Sequence, residues 1–485
     1  MRRVLAGLGV LILAVGGYVT ADVYDLVPGV LTLDRAPSRA GMPAVPTVTP
    51  GPFPSVTSTP APIPSVLAPV AAPLAVLAEA APMPTGAGLT AALARALADS
   101  GLGSSVGLTV RDARTGAHLL DVSAQVPRIP ASTVKLLTAT AISSMLDPAL
   151  TFSTRAVRGA SVHDVILVAG GDTLLSPGTG NPLAVAGRAG LADLAGQTAQ
   201  ALKALGITNV RLHIDERYAS GARYAPGWLA ADISKGLTGP VAMMGLSTQP
   251  SGMGRAAAVT DPALSTAQAF RKALASNGLT VAPAIDRVAS PEGAPDLGVV
   301  RSAPLADVLV LALRDSDDAL TESLARQAAA KAGRPTSFAA VTAWVRETVA
   351  AKGVDMEGIT LIDTSGLSRG ALIPARALGD VLALAAGGQD PALQQIVAQL
   401  PVAGLSGTLA GRFLTGPAHS AAGIARAKTG TLTGVSALAG TVVDKDGRLL
   451  TFAILADRIP PGAGTLTARA ALDRFVATLA SCGCG

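Results

Sequence analysis

Leu89, Ala92, Leu93 and Leu97 recur at spacings of three and four before Gly101 and Gly103 interrupt them, so the ordered part of the chain is predicted to open with a helix. Apolar-rich runs at 106–110 and 119–122 then flank Asp112-Ala113-Arg114-Thr115-Gly116, with Asp and Gly where a tight turn needs them. A second hairpin is predicted near the far end, where runs at 437–443 and 449–456 flank Asp444-Lys445-Asp446-Gly447. A last helix, 466–479, carries Leu472, Phe475, Val476 and Leu479 on one side. Strands at both chain ends with helices between them predict an α/β layered architecture. Its antiparallel sheet is closed by both termini and flanked by helices, and the middle of the chain is looped out.

Two N-terminal segments carry no such periodicity. Met1-Arg2-Arg3 precedes an uncharged apolar run from Val4 to about Ala21, the pattern that export machinery reads. Val19-Thr20-Ala21 could be a cleavage site, yet the run is also close to the length of one bilayer crossing, so residues 1–21 are a signal peptide or a signal anchor. Between Ala36 and Thr85 there are thirteen prolines and only two charges, Arg39 and Glu79, which favours an extended linker over 36–86. Such a linker is either a tether of real reach or a plain low-complexity connection.

Composition narrows the chemistry. The chain has 38 Lys+Arg against 33 Asp+Glu, a net charge of +5 without a basic run, too mild for a dedicated nucleic-acid binder. Aromatic residues are 3% of the chain, so its core must be built from small aliphatic side chains. Cys482 and Cys484 sit in the tail and cannot supply a disulfide framework or a thiolate zinc site. His118, His163, His213 and His419 lack any ligand spacing, and no metal is expected.

The candidate chemistry begins at Pro130-Ala131-Ser132-Thr133-Val134-Lys135, followed by Leu136, Leu137, Ala139, Ala141 and Ile142. On the helix that Pro130 introduces, Ser132 and Lys135 lie one turn apart on one face, where the hydroxyl can reach the amine. Burial favours an uncharged amine, which could take the proton of a serine nucleophile. Serine and lysine at this spacing are common, but only eight lysines occur in the whole chain, and one of them is spent inside an apolar helix. A second lysine stands in Ala427-Lys428-Thr429-Gly430-Thr431, beside hydroxyls suited to a terminal carboxylate; an edge lysine before a turn is the plain alternative. The third stretch is Asp315-Ser316-Asp317-Asp318, where Ser316 or Asp315 could instead simply cap a helix.

Taken in order, Ser132-x-x-Lys135, Ser316-Asp317-Asp318 and Lys428-Thr429-Gly430 resemble the three motifs of penicillin-binding proteins and serine β-lactamases. The 184 positions between Ser132 and Ser316 make room for an inserted domain, as in the class C low-molecular-mass penicillin-binding proteins, the D-alanyl-D-alanine carboxypeptidases and endopeptidases. Gly170-Gly171-Asp172-Thr173-Leu174, Asp261-Pro262-Ala263, Asp363-Thr364-Ser365-Gly366-Leu367-Ser368 and Leu400-Pro401-Val402-Ala403-Gly404 are similar to that family as well. The resemblance implies a penicillin-recognising, β-lactamase-like catalytic domain in two parts, 87–154 and 301–480, with an inserted domain at 155–300. It further implies a Ser132 nucleophile with Lys135 as its base, Ser316 as proton relay, and Lys428, Thr429 and Thr431 as binders of the substrate carboxylate. The backbone N–H groups of Ser132 and Thr431 would form the oxyanion hole, with Gly430 between the binding residues. The expected partners are peptidoglycan stem peptides and β-lactam antibiotics, with the membrane added if the N-terminal segment is uncleaved; no cofactor and no nucleic acid are implied. The expected location is extracytoplasmic, in the cell-wall space.

Where the family has asparagine this chain has Asp318, which can accept from Lys135 but, ionised, cannot donate to a substrate carbonyl. Two other readings therefore stand beside the carboxypeptidase: a β-lactamase-like hydrolase, and a catalytically impaired cell-wall-binding protein. Gly366-Leu367-Ser368-Arg369-Gly370 also matches the G-x-S-x-G elbow of α/β-hydrolases, but no apolar strand leads into it and arginine follows the serine.

Overall fold

A computed structural model describes residues 81–249, 258–462 and 464–485. The apolar segment at 1–21 and most of the proline-rich segment lie outside the described residues. Among the described residues there are ten strands: β1 (Val106–Asp112), β2 (His118–Val122), β3 (Ser153–Arg158), β4 (Asp164–Val168), β5 (Asn209–Asp215), β6 (Thr280–Arg287), β7 (Asp296–Arg301), β8 (Arg426–Leu432), β9 (Val435–Val443) and β10 (Leu449–Ala456). They form two five-stranded sheets in a mixed α/β fold.

The first sheet has the order β2-β1-β10-β9-β8 and is antiparallel throughout, so strands from both ends of the chain meet at its centre, where β1 pairs with β10 from Val106↔Ala456 to Asp112↔Leu450. Both of its faces are buried, and the alternation along its strands explains how. Ala437, Ala439, Ala453 and Leu455 face one core, built on the helices Val134–Met145, Leu305–Asp315, Asp318–Lys331, Phe338–Ala350 and Ala375–Ala386. Leu438, Phe452 and Ile454 face the other, against the helices Gly86–Leu97 and Gly464–Ala480. Small alanines on the first face let the Ala375–Ala386 helix and the turn carrying Ser132 pack close to the sheet. The second sheet, order β6-β5-β4-β3-β7, is mixed: β4-β5 and β5-β6 are parallel, and the other pairs antiparallel. It has its own core with the helices Leu191–Ala204 and Pro262–Ser276.

The two ends of the described body meet. Thr85 caps the first helix through its side chain, and its backbone N–H donates to the Cys484 carbonyl at 2.8 Å. Arg448 Nη1 reaches back to the Ala81 carbonyl at 3.1 Å, so the last residues of the segment expected to be linker are docked on the folded body. Cys482 and Cys484, having no distant partner, are bonded to each other. Among the described residues no helix is long and apolar enough to cross a membrane.

Candidate active site

Ser132 sits in a single 3-10 turn, Ala131–Thr133, that leads directly into the Val134–Met145 helix. Ala131, immediately before it, has φ 47°, a left-handed conformation that L-residues avoid, held because Thr133 Oγ1 and N–H both donate to the Pro130 carbonyl. Gly430 of β8 faces this turn: a Cβ there would lie 2.5 Å from the Pro130 oxygen, so only glycine lets the edge strand approach Ser132 so closely.

Lys135 is completely buried, and its Nζ has three acceptors: Ser132 Oγ at 3.1 Å, the Ser365 carbonyl at 2.8 Å, and the Asp318 carboxylate in a direct ion pair. These account for all three N–H groups of an ammonium. Burial pushes the Asp318 carboxyl up to about 6, against the pull of the Lys135 charge and hydrogen bond. Lys428 is also fully buried. Its Nζ donates to Ser316 Oγ at 2.8 Å and to its own neighbour's carbonyl, Thr429 O, at 2.9 Å. Desolvation, helped by the Lys135 charge, holds the Lys428 amine well below the ordinary lysine value. Two buried lysines thus face two hydroxyls, Ser132 and Ser316, both only half-buried and open to a ligand.

The third predicted stretch folds differently from the capping expected at Ser316 or Asp315. Asp317 caps the Asp318–Lys331 helix, its carboxylate accepting from Leu320 N–H at 2.9 Å. Asp315 is the last residue of the preceding helix, and Ser316 follows it at φ 56°. That left-handed residue makes the corner between two helices and leaves its hydroxyl free of capping duty, which is how it comes to face Lys428. Thr429 Oγ1 donates to Thr408 Oγ1 at 2.9 Å, and Thr431, half-buried, pairs in register with Ser436.

The Ser368 elbow does not form. Ser368 is fully buried in a loop, its Oγ without a hydrogen-bond partner, while its N–H donates to Asp363. The loop instead serves the Ser132 side: Thr138 Oγ1 donates to the Thr364 carbonyl at 2.6 Å, and Gly366, at φ 83°, lies so close that a Cβ would sit 2.0 Å from Ala131 O. Sequence reasoning quoted this loop without giving it a role, and it missed Thr408, Glu322 and Trp228. Backbone acceptors such as Ser365 O leave no side-chain signature to find.

A model of the D-Ala-D-Ala carboxypeptidase 3 (S13) family matches residues 89–249 and 244–479. Carboxypeptidase DacB of Mycolicibacterium smegmatis is 40% identical over 413 residues, 84% of this chain and 86% of the relative. A carboxypeptidase of Mycobacterium tuberculosis is 37% identical over 84% of this chain and 87% of its own length. Among solved structures, penicillin binding protein 4 from Haemophilus influenzae superposes with a TM-score of 0.64 at 22% identity, over 82% of this chain and 98% of that one. The same Haemophilus protein is also known complexed with a β-lactam.

Proposed function

The chain belongs to the D-Ala-D-Ala carboxypeptidase 3 (S13) family of serine peptidases, and from that premise we propose that it cleaves peptidoglycan stem peptides through an acyl-enzyme on Ser132. The observation that carries this assignment is the convergence of two fully buried lysines on two ligand-accessible hydroxyls, Lys135 on Ser132 and Lys428 on Ser316.

In this reading Ser132 Oγ attacks the carbonyl of the penultimate D-alanine, and its proton passes to Lys135 in the amine form. The oxyanion is held by the backbone N–H groups of Ser132 and Thr431, brought together by the close approach at Gly430. The C–N bond breaks, and the proton first taken by Lys135 reaches the leaving amine of D-alanine through Ser316, which returns Lys135 to the amine form before hydrolysis. Lys428 supports that relay: its amine, held below the ordinary lysine value by burial, lies 2.8 Å from the Ser316 hydroxyl and can exchange a proton with it. Thr429 and Thr431 orient the terminal carboxylate, the Thr429 hydroxyl turning its proton to it from Thr408 Oγ1. Water then hydrolyses the ester. A β-lactam places its own carbonyl and carboxylate at the same groups and stops at the ester stage. The sheet from β3 to β7 is the inserted domain, and the reaction takes place outside the cytoplasmic membrane after export directed by residues 1–21.

Release of D-alanine from a synthetic pentapeptide tests this reading. The parent is expected to release it and Ser132→Ala to release none; equal release by both would refute the Ser132 assignment.

A further inference from the structure

Four acidic side chains, Asp317, Asp318, Glu322 and Asp363, are buried within or beside the site. Asp317 caps a helix and Asp318 pairs with Lys135, whereas the other two have no role described above. Glu322, on the Asp318–Lys331 helix, accepts from Thr364 N–H and Ser365 N–H on Oε1, each at 2.8 Å, and meets the Thr364 hydroxyl on Oε2 at 2.6 Å. Asp363 accepts from Ser365 N–H at 3.2 Å, Gly366 N–H at 2.6 Å, Ser368 N–H at 2.7 Å and Trp228 Nε1 at 2.8 Å. The Asp363–Ser368 stretch makes no sheet or helix ladder, so these carboxyls replace the backbone partners that a buried loop otherwise lacks.

The loop's output is the Ser365 carbonyl. A neutral Lys135 has two N–H groups and one lone pair. With Asp318 and Ser365 O taking the two N–H groups, the lone pair is left aimed at Ser132 Oγ. We propose that Glu322 and Asp363 are positioning residues for acylation, which hold Ser365 O in place so that Lys135 is aimed at Ser132. Trp228, from the chain between β5 and β6, ties the other end of Asp363, so the region outside the catalytic sheet contributes to the aim as well. The proposal rests on Ser132 and Lys135 being the acylating pair.

Burial, with the Asp363 charge adding to it, pushes the Glu322 carboxyl up to about 8, toward the neutral acid, of which an amide is the closest replacement. In Glu322→Gln the amide oxygen can still accept from both N–H groups. In Glu322→Ala two buried N–H groups lose an acceptor, Ser365 O shifts, and the aim is lost.

The test uses the full chain and saturation kinetics of nitrocefin acylation, separating the acylation rate constant from the preceding dissociation constant. Glu322→Ala is expected to lower the rate constant by about 100-fold with the dissociation constant unchanged, as a misplacement of about an ångström does. Glu322→Gln is expected to stay within about threefold of the parent, and Trp228→Phe to lose about fivefold, the worth of one hydrogen bond. A purely structural role would lower thermal stability in all three while leaving the rate constant of the folded protein unchanged. That result overturns the proposal, as does a glutamine variant as slow as the alanine one, or a loss confined to the dissociation constant. If Glu322→Ala does not fold, Trp228→Phe decides: a parental rate constant overturns the proposal and a lowered one supports it. A parent that forms no adduct at Ser132 overturns the functional reading instead, and the proposal with it.

Discussion

Replacing Asp318 by asparagine should speed acylation at neutral and alkaline pH and do little in acid. Asp318 is buried, 8% exposed, and paired with a Lys135 that is wholly buried. Above about pH 6, where its carboxyl ionises, it can only accept hydrogen bonds, and Lys135 must be drawn out of an ion pair before it can take the Ser132 proton. Below about pH 6 the protonated acid can donate as an amide does, so the two side chains become alike. A hydrogen bond to a charged group is worth about 1.5–3 kcal/mol, but Lys135 keeps a neutral acceptor in the amide oxygen, so the lower figure applies. At about 1.4 kcal/mol per factor of ten, the asparagine variant should acylate about tenfold faster at pH 8. Stopped-flow acylation of both proteins from pH 5 to 9 measures the ratio, which should rise along a single titration curve with its midpoint near the Asp318 value of about 6. A ratio that is flat with pH, or below one throughout, would refute the coupling.

Gly366→Ala should destabilise the fold by more than about 3 kcal/mol in urea unfolding and abolish penicillin labelling, because its φ is 83° and the new Cβ would overlap the Ala131 oxygen; a soluble, fully labelled variant would show that the loop yields. Three buried acids, Asp318, Asp172 and Glu322, have carboxyls raised to about 6, 7 and 8. Raised acids stabilise the fold below their unfolded values and lose that contribution as pH climbs through the folded ones, so thermal stability should fall between about pH 5 and 8, and Glu322→Gln should flatten the upper part of that fall. A fragment beginning at Ala81 should fold and label like the full chain, whereas one beginning at Leu89 loses the Arg448 and Cys484 contacts and should melt several degrees lower; equal melting temperatures would mean those contacts are idle.

The antiparallel sheet was legible because its strands are bounded by turn residues, and because the hairpins at the two chain ends could pair only with each other. Ser132 and Lys135 were legible from chemistry at fixed spacing, Ser316 and Lys428 from the resemblance of three motifs in order, and the structure brings the four together in two pairs. Asp318 was legible as a departure, and it meets Lys135 as its carboxylate allows. The capping of Asp318–Lys331 was misjudged because a run of Asp315, Ser316, Asp317 and Asp318 offers four possible caps, and tertiary contact to Lys428 decides among them. The Glu322–Ser365–Lys135 link was not legible at all: Glu322 lies 42 and 43 positions from the N–H groups it accepts from, Lys135 lies 230 from the Ser365 carbonyl, and one partner in each of these bonds is backbone. The mixed second sheet was equally hidden, since β4, β5 and β6 pair in parallel through long crossovers that leave no turn signal.

The proposed mechanism stands on acylation of Ser132. Incubation with benzylpenicillin, proteolysis and mass spectrometry test it directly, since the penicilloyl group marks the residue that attacked. A single adduct is expected on the peptide carrying Ser132, lost in Ser132→Ala and retained in Ser368→Ala. An adduct on any other residue, or labelling that survives Ser132→Ala, would contradict it.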